Sequence, residues 1–65
     1  MRTQIRAYDP ETRTVPVTFS HRGKIHRRAV NAVLDDAGAY DRDATRARVA
    51  EVAQGVEAKI DAGLI

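Results

Sequence analysis

Apolar and polar residues alternate in two stretches near the start of the chain, and the period lengthens towards its end. In residues 3–8, Ile5 and Ala7 fall on one side and Gln4, Arg6 and Tyr8 on the other, which is the pattern of a half-buried strand. Val15, Val17 and Phe19 alternate with Thr14, Pro16, Thr18 and Ser20, predicting a second strand that pairs with the first as a hairpin. The connection is Asp9-Pro10-Glu11-Thr12, where Pro10 pre-sets φ for a turn and the Asp9 carboxylate is free to bond the backbone ahead of it. Pro16 has no N–H to give a ladder, so its position is expected to face a sheet edge or a bulge. An open edge is a place where another chain can add. In His21-Arg22-Gly23-Lys24 the glycine supplies the positive φ of a second tight turn, and residues 24–30 read as a third strand returning antiparallel.

Beyond that strand the period is ambiguous. Val30, Val33, Leu34 and Ala37 fit i, i+3, i+4, i+7, so residues 30–37 read either as a short helix or as an extension of the strand, closed by Asp35-Asp36-Ala37-Gly38. The last segment is plainly helical. Asp41 or Asp43 can cap it, and Val49, Val52, Ala53, Val56 and Ile60 form one apolar stripe over residues 43–62. Gly63 stands where a left-handed C′ residue belongs, with Leu64 placed to pack back on the last turn. Asp43 with Arg46, and Arg48 with Glu51, are i, i+3 neighbours. The opposite face carries Ala44, Ala47, Ala50, Ala58 and Ala62, which either admits a close second helix or fills the surface with good helix formers. Gly55 in mid-helix reflects a close backbone approach or is a tolerated weakness. The expected architecture is α+β: a small N-terminal antiparallel meander of two or three strands packed on a long C-terminal amphipathic helix.

With 65 residues there is room for one domain, residues 1–65, and one small core. The chain has no Cys, so neither a disulfide nor a thiolate zinc site can staple it. A composition of 43% hydrophobic and 31% charged residues is that of a folding chain. The net charge of +2 conceals an asymmetry. Residues 1–31 carry seven Arg or Lys against two acids, whereas residues 32–65 carry four against seven. That polarity suits docking, self-association or a charged partner, or simply two solvated surfaces. The N-terminus has no apolar h-region, and the longest apolar stretch is far short of the ~20 residues that span a bilayer, so a cytoplasmic protein without membrane contact is expected.

The parts of an enzyme are scarce. Ser20 and His21 are adjacent, and neighbours on a strand point to opposite faces, so they cannot form a nucleophile and base. His21 and His26 can lie near each other across the second turn, yet zinc wants three or four ligands and no third is assured. Asp35, Asp36 and Asp41 lack the order of a calcium loop, and there is no glycine-rich phosphate loop. No cofactor, metal or catalytic residue is expected. The densest basic run, His21 to Arg28, is able to track phosphates as a β-ribbon, which makes a small DNA-binding protein using residues 21–28 the alternative. The acidic C-terminal half and the shortage of aromatic residues oppose it. A ribbon-helix-helix arrangement is disfavoured because the first thirty residues are spent on strands.

Val17-Thr-Phe-Ser-His-Arg-Gly-Lys24, Val30-Asn-Ala-Val-Leu-Asp35, Tyr40-Asp41, Ala44-Thr45, Arg48-Val49, Val52-Ala53, Gly55-Val56, Lys59-Ile60 and Gly63-Leu-Ile65 are spread over the last three quarters of the chain. In these residues the chain resembles the small proteins of α-proteobacterial integrative and conjugative elements, represented by the QseM antiactivators. The resemblance implies transcription regulation of conjugative transfer: binding and inhibiting a transcriptional activator, such as a LuxR-type quorum-sensing regulator. Independently of it, a chain with no catalytic parts and two amphipathic elements is suited to protein–protein contact. The candidate partner-binding residues are Tyr8, Arg22, Lys24, Ile25, Arg27, Arg28, Val33, Leu34, Tyr40, Leu64 and Ile65, with Phe19 more at home in the core. Monomer and homodimer both remain open.

Overall fold

A computed structural model covering residues 1–65 shows three strands followed by one helix: β1 (Arg2–Ile5), β2 (Thr14–His21), β3 (Lys24–Asn31) and α1 (Arg42–Asp61). The sheet is antiparallel in the order β1-β2-β3, so the fold is the α+β meander and helix that the two periods imply. β2 is the central strand. Its odd-numbered residues Val15, Val17 and Phe19 face the helix, and with Val30, Val49, Val56 and Ile60 they make the buried core. Only eight residues are buried in all, and the eighth is Thr45.

Pro16 explains where β1 stops. The register pairs Gln4 with Thr18 and Ile5 with Val17, and the Arg6 N–H donates to the Pro16 carbonyl at 2.8 Å. In an antiparallel ladder the reciprocal bond would come from the Pro16 nitrogen, which has no hydrogen. Pro16 therefore sits in a central strand, contrary to the edge or bulge expected of it, and its cost falls where β1 ends. The chain peels away there, so β1 covers Arg2–Ile5 rather than residues 3–8.

The two turns differ in chemistry. In the first, the Glu11 N–H donates to Asp9 Oδ1 at 2.9 Å, Asp9 bridges to Thr14, and Arg13 takes up a positive φ of 56°. In the second, Arg22 and Gly23 both have positive φ, 51° and 75°, with His21 paired to Lys24. Two left-handed central residues define the type I′ turn that matches the twist of a two-residue hairpin. Gly23 takes this conformation freely, whereas Arg22 adopts it against its steric preference.

Residues 30–37 are not a helix. Val30 belongs to β3, and the segment after Asn31 is irregular, carrying an isolated bridge between Leu34 and Tyr40. Asp35 is the reason: its Oδ1 accepts from the N–H groups of Ala37 and Ala39, both at 2.9 Å, and Gly38 turns with φ +80°. A side chain that bonds the backbone just ahead of it competes with the helical ladder. Asp41 is the N-cap of α1, its Oδ1 accepting from Ala44 N–H at 3.0 Å. At the other end, Leu64 N–H donates to Lys59 O and Gly63 N–H to Ile60 O, the Schellman pattern with Gly63 at φ +75°. The apolar half of that motif is missing, because Leu64 is 72% exposed instead of packed on the last turn. Gly55 meets nothing within 4 Å of where a Cβ would stand, so no backbone approaches it. The i, i+3 pairs on the helix do not close, and the one carboxylate in ion-pair contact is Asp61.

Candidate partner-binding groove

The helix lies over β2 and β3 and leaves β1 almost untouched. A groove of about 740 Å³ opens between them. Its strand side is built by Thr3 and Ile5, continuing through Arg6, Ala7 and Tyr8 where the chain leaves the sheet. Its helix side is the row Arg42, Arg46 and Ala50, an i, i+4, i+8 spacing that stacks side chains along one face, together with Val49 and Ala53. Seven of its eleven lining residues are hydrophobic, three are arginines and none is acidic.

Tyr40 closes one end by stacking on Tyr8, with ring centroids 4.5 Å apart and planes within 3° of parallel. The pair joins the stretch after β1 to the stretch before α1, 32 positions apart in sequence, and a buried threonine holds the second of these in place. Thr45 is fully enclosed on the first turn of α1. Its Oγ1 accepts from the Val33 N–H at 2.9 Å and donates to the Asp41 carbonyl at 2.7 Å, while the Asp41 N–H donates to Val33 O at 2.9 Å. These bonds fasten the irregular segment to the helix start, one residue from Tyr40.

β1 is also the free edge of the sheet. Because Arg6, Gln4 and Arg2 are the residues that bond β2, Thr3 and Ile5 point their N–H and C=O groups away from it. The same two residues line the groove, so an open backbone edge runs along its rim.

The candidate residues divide into separate places. Tyr8 and Tyr40 meet in the groove. Val33 and Leu34 are half-buried in the segment that positions Tyr40. The basic run is split by the pleat: Lys24 and Arg28 are on the helix side of β3, and Ile25 and Arg27 are on the uncovered side, all exposed and all on the strand farthest from the groove. Arg22 is at the hairpin tip, its Nε 3.1 Å from Asp61 Oδ1. Leu64 and Ile65 are exposed after the helix, at 72% and 38%. Phe19 is completely buried.

At that tip His21 Nε2 is 2.9 Å from the same Asp61 oxygen, and Glu57 lies alongside. Ser20 pairs with Ile25 on the other face of the sheet, as adjacency on a strand requires. His21, Glu57 and Asp61 offer donor atoms within 4.8 Å of one another, a set of one imidazole and two carboxylates that spacing in the sequence does not reveal. The Arg22 guanidinium competes with any cation for Asp61, and the cluster acts as a clasp between hairpin tip and helix end. His26 pairs with Phe19 and stands near its ring instead of meeting His21's partner.

Sequence reasoning missed most of the groove: Thr3, Ile5, Arg6, Arg42 and Arg46. A signal was present, since Arg42, Arg46 and Ala50 share a helical row beside the apolar stripe. What it could not reveal is that the helix would sit off-centre. No helix is long and apolar enough to cross a membrane. Compared with known proteins, the chain matches no family model, no curated protein and no solved structure.

Proposed function

We propose that this chain is a small non-enzymatic regulatory protein that binds and inhibits a protein partner, a transcriptional activator, in the manner of an antiactivator. The observation that carries the reading is the groove beside β1: apolar in its lining, rimmed by Arg6, Arg42 and Arg46, and left open by the fold's own packing. In a chain with only eight buried residues, so large a concave apolar site is unusual surface to leave wet. The resemblance of residues 17–65 to the QseM antiactivators points the same way, towards a LuxR-type quorum-sensing regulator and the cytoplasm. A tagged pull-down from native lysate, run with and without nuclease and read by mass spectrometry, tests it. One transcription factor retained after nuclease supports it; recovery of nucleic acid alone overturns it.

Duplex DNA is the second reading. It is favoured by the uncovered face of the sheet, where Arg2 and Arg27 stand among Gln4, Thr18 and Ser20 with no carboxylate. Phosphate contacts are strongest at low salt, so absence of duplex binding at ~50 mM salt removes this reading.

A further inference from the structure

Resting on the partner-binding reading, we propose that the groove takes its partner by strand addition: an extended, acidic segment pairs with the free edge of β1 and lays alternate apolar side chains against α1. Three observations meet at this place. Thr3 and Ile5 present unpaired N–H and C=O groups outward, which is what a fourth strand needs. Their side chains, with Val49, Ala50 and Ala53, make an apolar strip on one side of that edge, where every second residue of an added strand would fall. The intervening residues of such a strand fall on the other face, where Arg2 and Arg6 follow the parity of Gln4, while Arg42 and Arg46 flank the apolar strip on α1 and no lining residue is a carboxylate, so the complementary segment is acidic. A second copy of β1 is a poor occupant, because it would bring its own Arg2 and Arg6 against these. The edge of β3 offers no such groove, and its last carbonyl, of Asn31, already accepts from Arg48 Nη1 at 3.3 Å.

The probe is a blocked seven-residue peptide alternating Glu with Val or Ile, titrated into the intact ¹⁵N-labelled protein. Expected are shifts at Thr3, Ile5, Arg42 and Arg46, and slowed exchange of the Thr3 and Ile5 amides. Binding should be about tenfold or more weaker for the same peptide with Lys for Glu, and for one N-methylated at the residues whose N–H groups face β1. Thr3→Pro removes an outward donor without touching the ladder to β2, so the protein stays folded and binding falls by a similar factor. No shift at about 1 mM peptide, or equal binding of the N-methylated peptide, overturns strand addition. The captured partner separates the two ideas. If wild type retains it and Thr3→Pro retains it equally, partner binding stands and strand addition fails. If wild type retains no protein, the functional reading fails and the peptide titration still decides the groove.

Discussion

Replacing Thr45 by valine removes one hydroxyl from a site with no solvent exposure and keeps the branched shape of the side chain. The bond accepted from Val33 N–H at 2.9 Å and the one donated to Asp41 O at 2.7 Å disappear, and with the latter its long branch to Val33 O at 3.4 Å. The Asp41 carbonyl still accepts from the Thr45 backbone N–H at 3.0 Å, so it is not orphaned. The Val33 N–H is, in a place only partly open to water, at a cost of about 1–2 kcal/mol, and the lost donation adds about 0.5–1 kcal/mol. The sum, about 2 kcal/mol, is a large part of the roughly 3–10 kcal/mol that holds a domain of this size. Urea unfolding followed by circular dichroism measures it, and a thermal scan should show Tm lower by roughly 10 °C. Thr45→Ser is the control, since it keeps the hydroxyl and gives up one methyl, about 1 kcal/mol. Because the same bonds position Tyr40, Thr45→Val should also weaken the ring-current shifts of the Tyr8–Tyr40 stack, and Thr45→Ser should not. If Thr45→Val proves as stable as Thr45→Ser or more so, the hydroxyl does not carry the segment and the argument is refuted.

Gly55→Ala should raise stability by about 0.5–1 kcal/mol in the same urea assay, because the added methyl meets open space and the helix gains propensity; a loss would show a neighbour at that position. Phe19→Ala removes the largest fully buried side chain and should cost about 3–5 kcal/mol, enough to leave much of the protein unfolded by circular dichroism at room temperature; a cooperative transition near the wild-type midpoint would contradict the placement of the core. Asp61→Ala breaks the clasp to His21 and Arg22, and since Arg22 is 72% exposed the loss should stay below about 1 kcal/mol; a larger drop in the urea midpoint would mean the hairpin tip is held chiefly there.

The strands and the final helix were legible because their periods are set by burial on one face. Val15, Val17 and Phe19 could face only one way, and Val49, Val56 and Ile60 answered them at helical spacing. The stretch after Val30 was not legible, because its apolar spacing fits a helix while Asp35 bonds the backbone against one. Thr45 stands four residues before Val49 on the same stripe, but a polar side chain carries no apolar signal to mark it as buried. Of the site, Tyr8 and Tyr40 were legible as aromatic residues outside the core pattern. The basic strand drew attention as a run of charge in sequence, yet pleating divides it between two faces, whereas Arg6, Arg42 and Arg46 are distant in sequence and meet only through the off-centre helix.

The most direct test of the groove as interface compares two charge reversals of equal size on the captured partner's affinity: Arg42→Glu with Arg46→Glu beside β1, and Arg27→Glu with Arg28→Glu on β3. All four side chains are exposed, so the fold should survive in both, and the net charge changes identically. The account predicts at least about tenfold weaker binding for the first pair and little change for the second. The reverse result, with the loss confined to Arg27 and Arg28, would contradict it and move the interface to the other edge of the sheet.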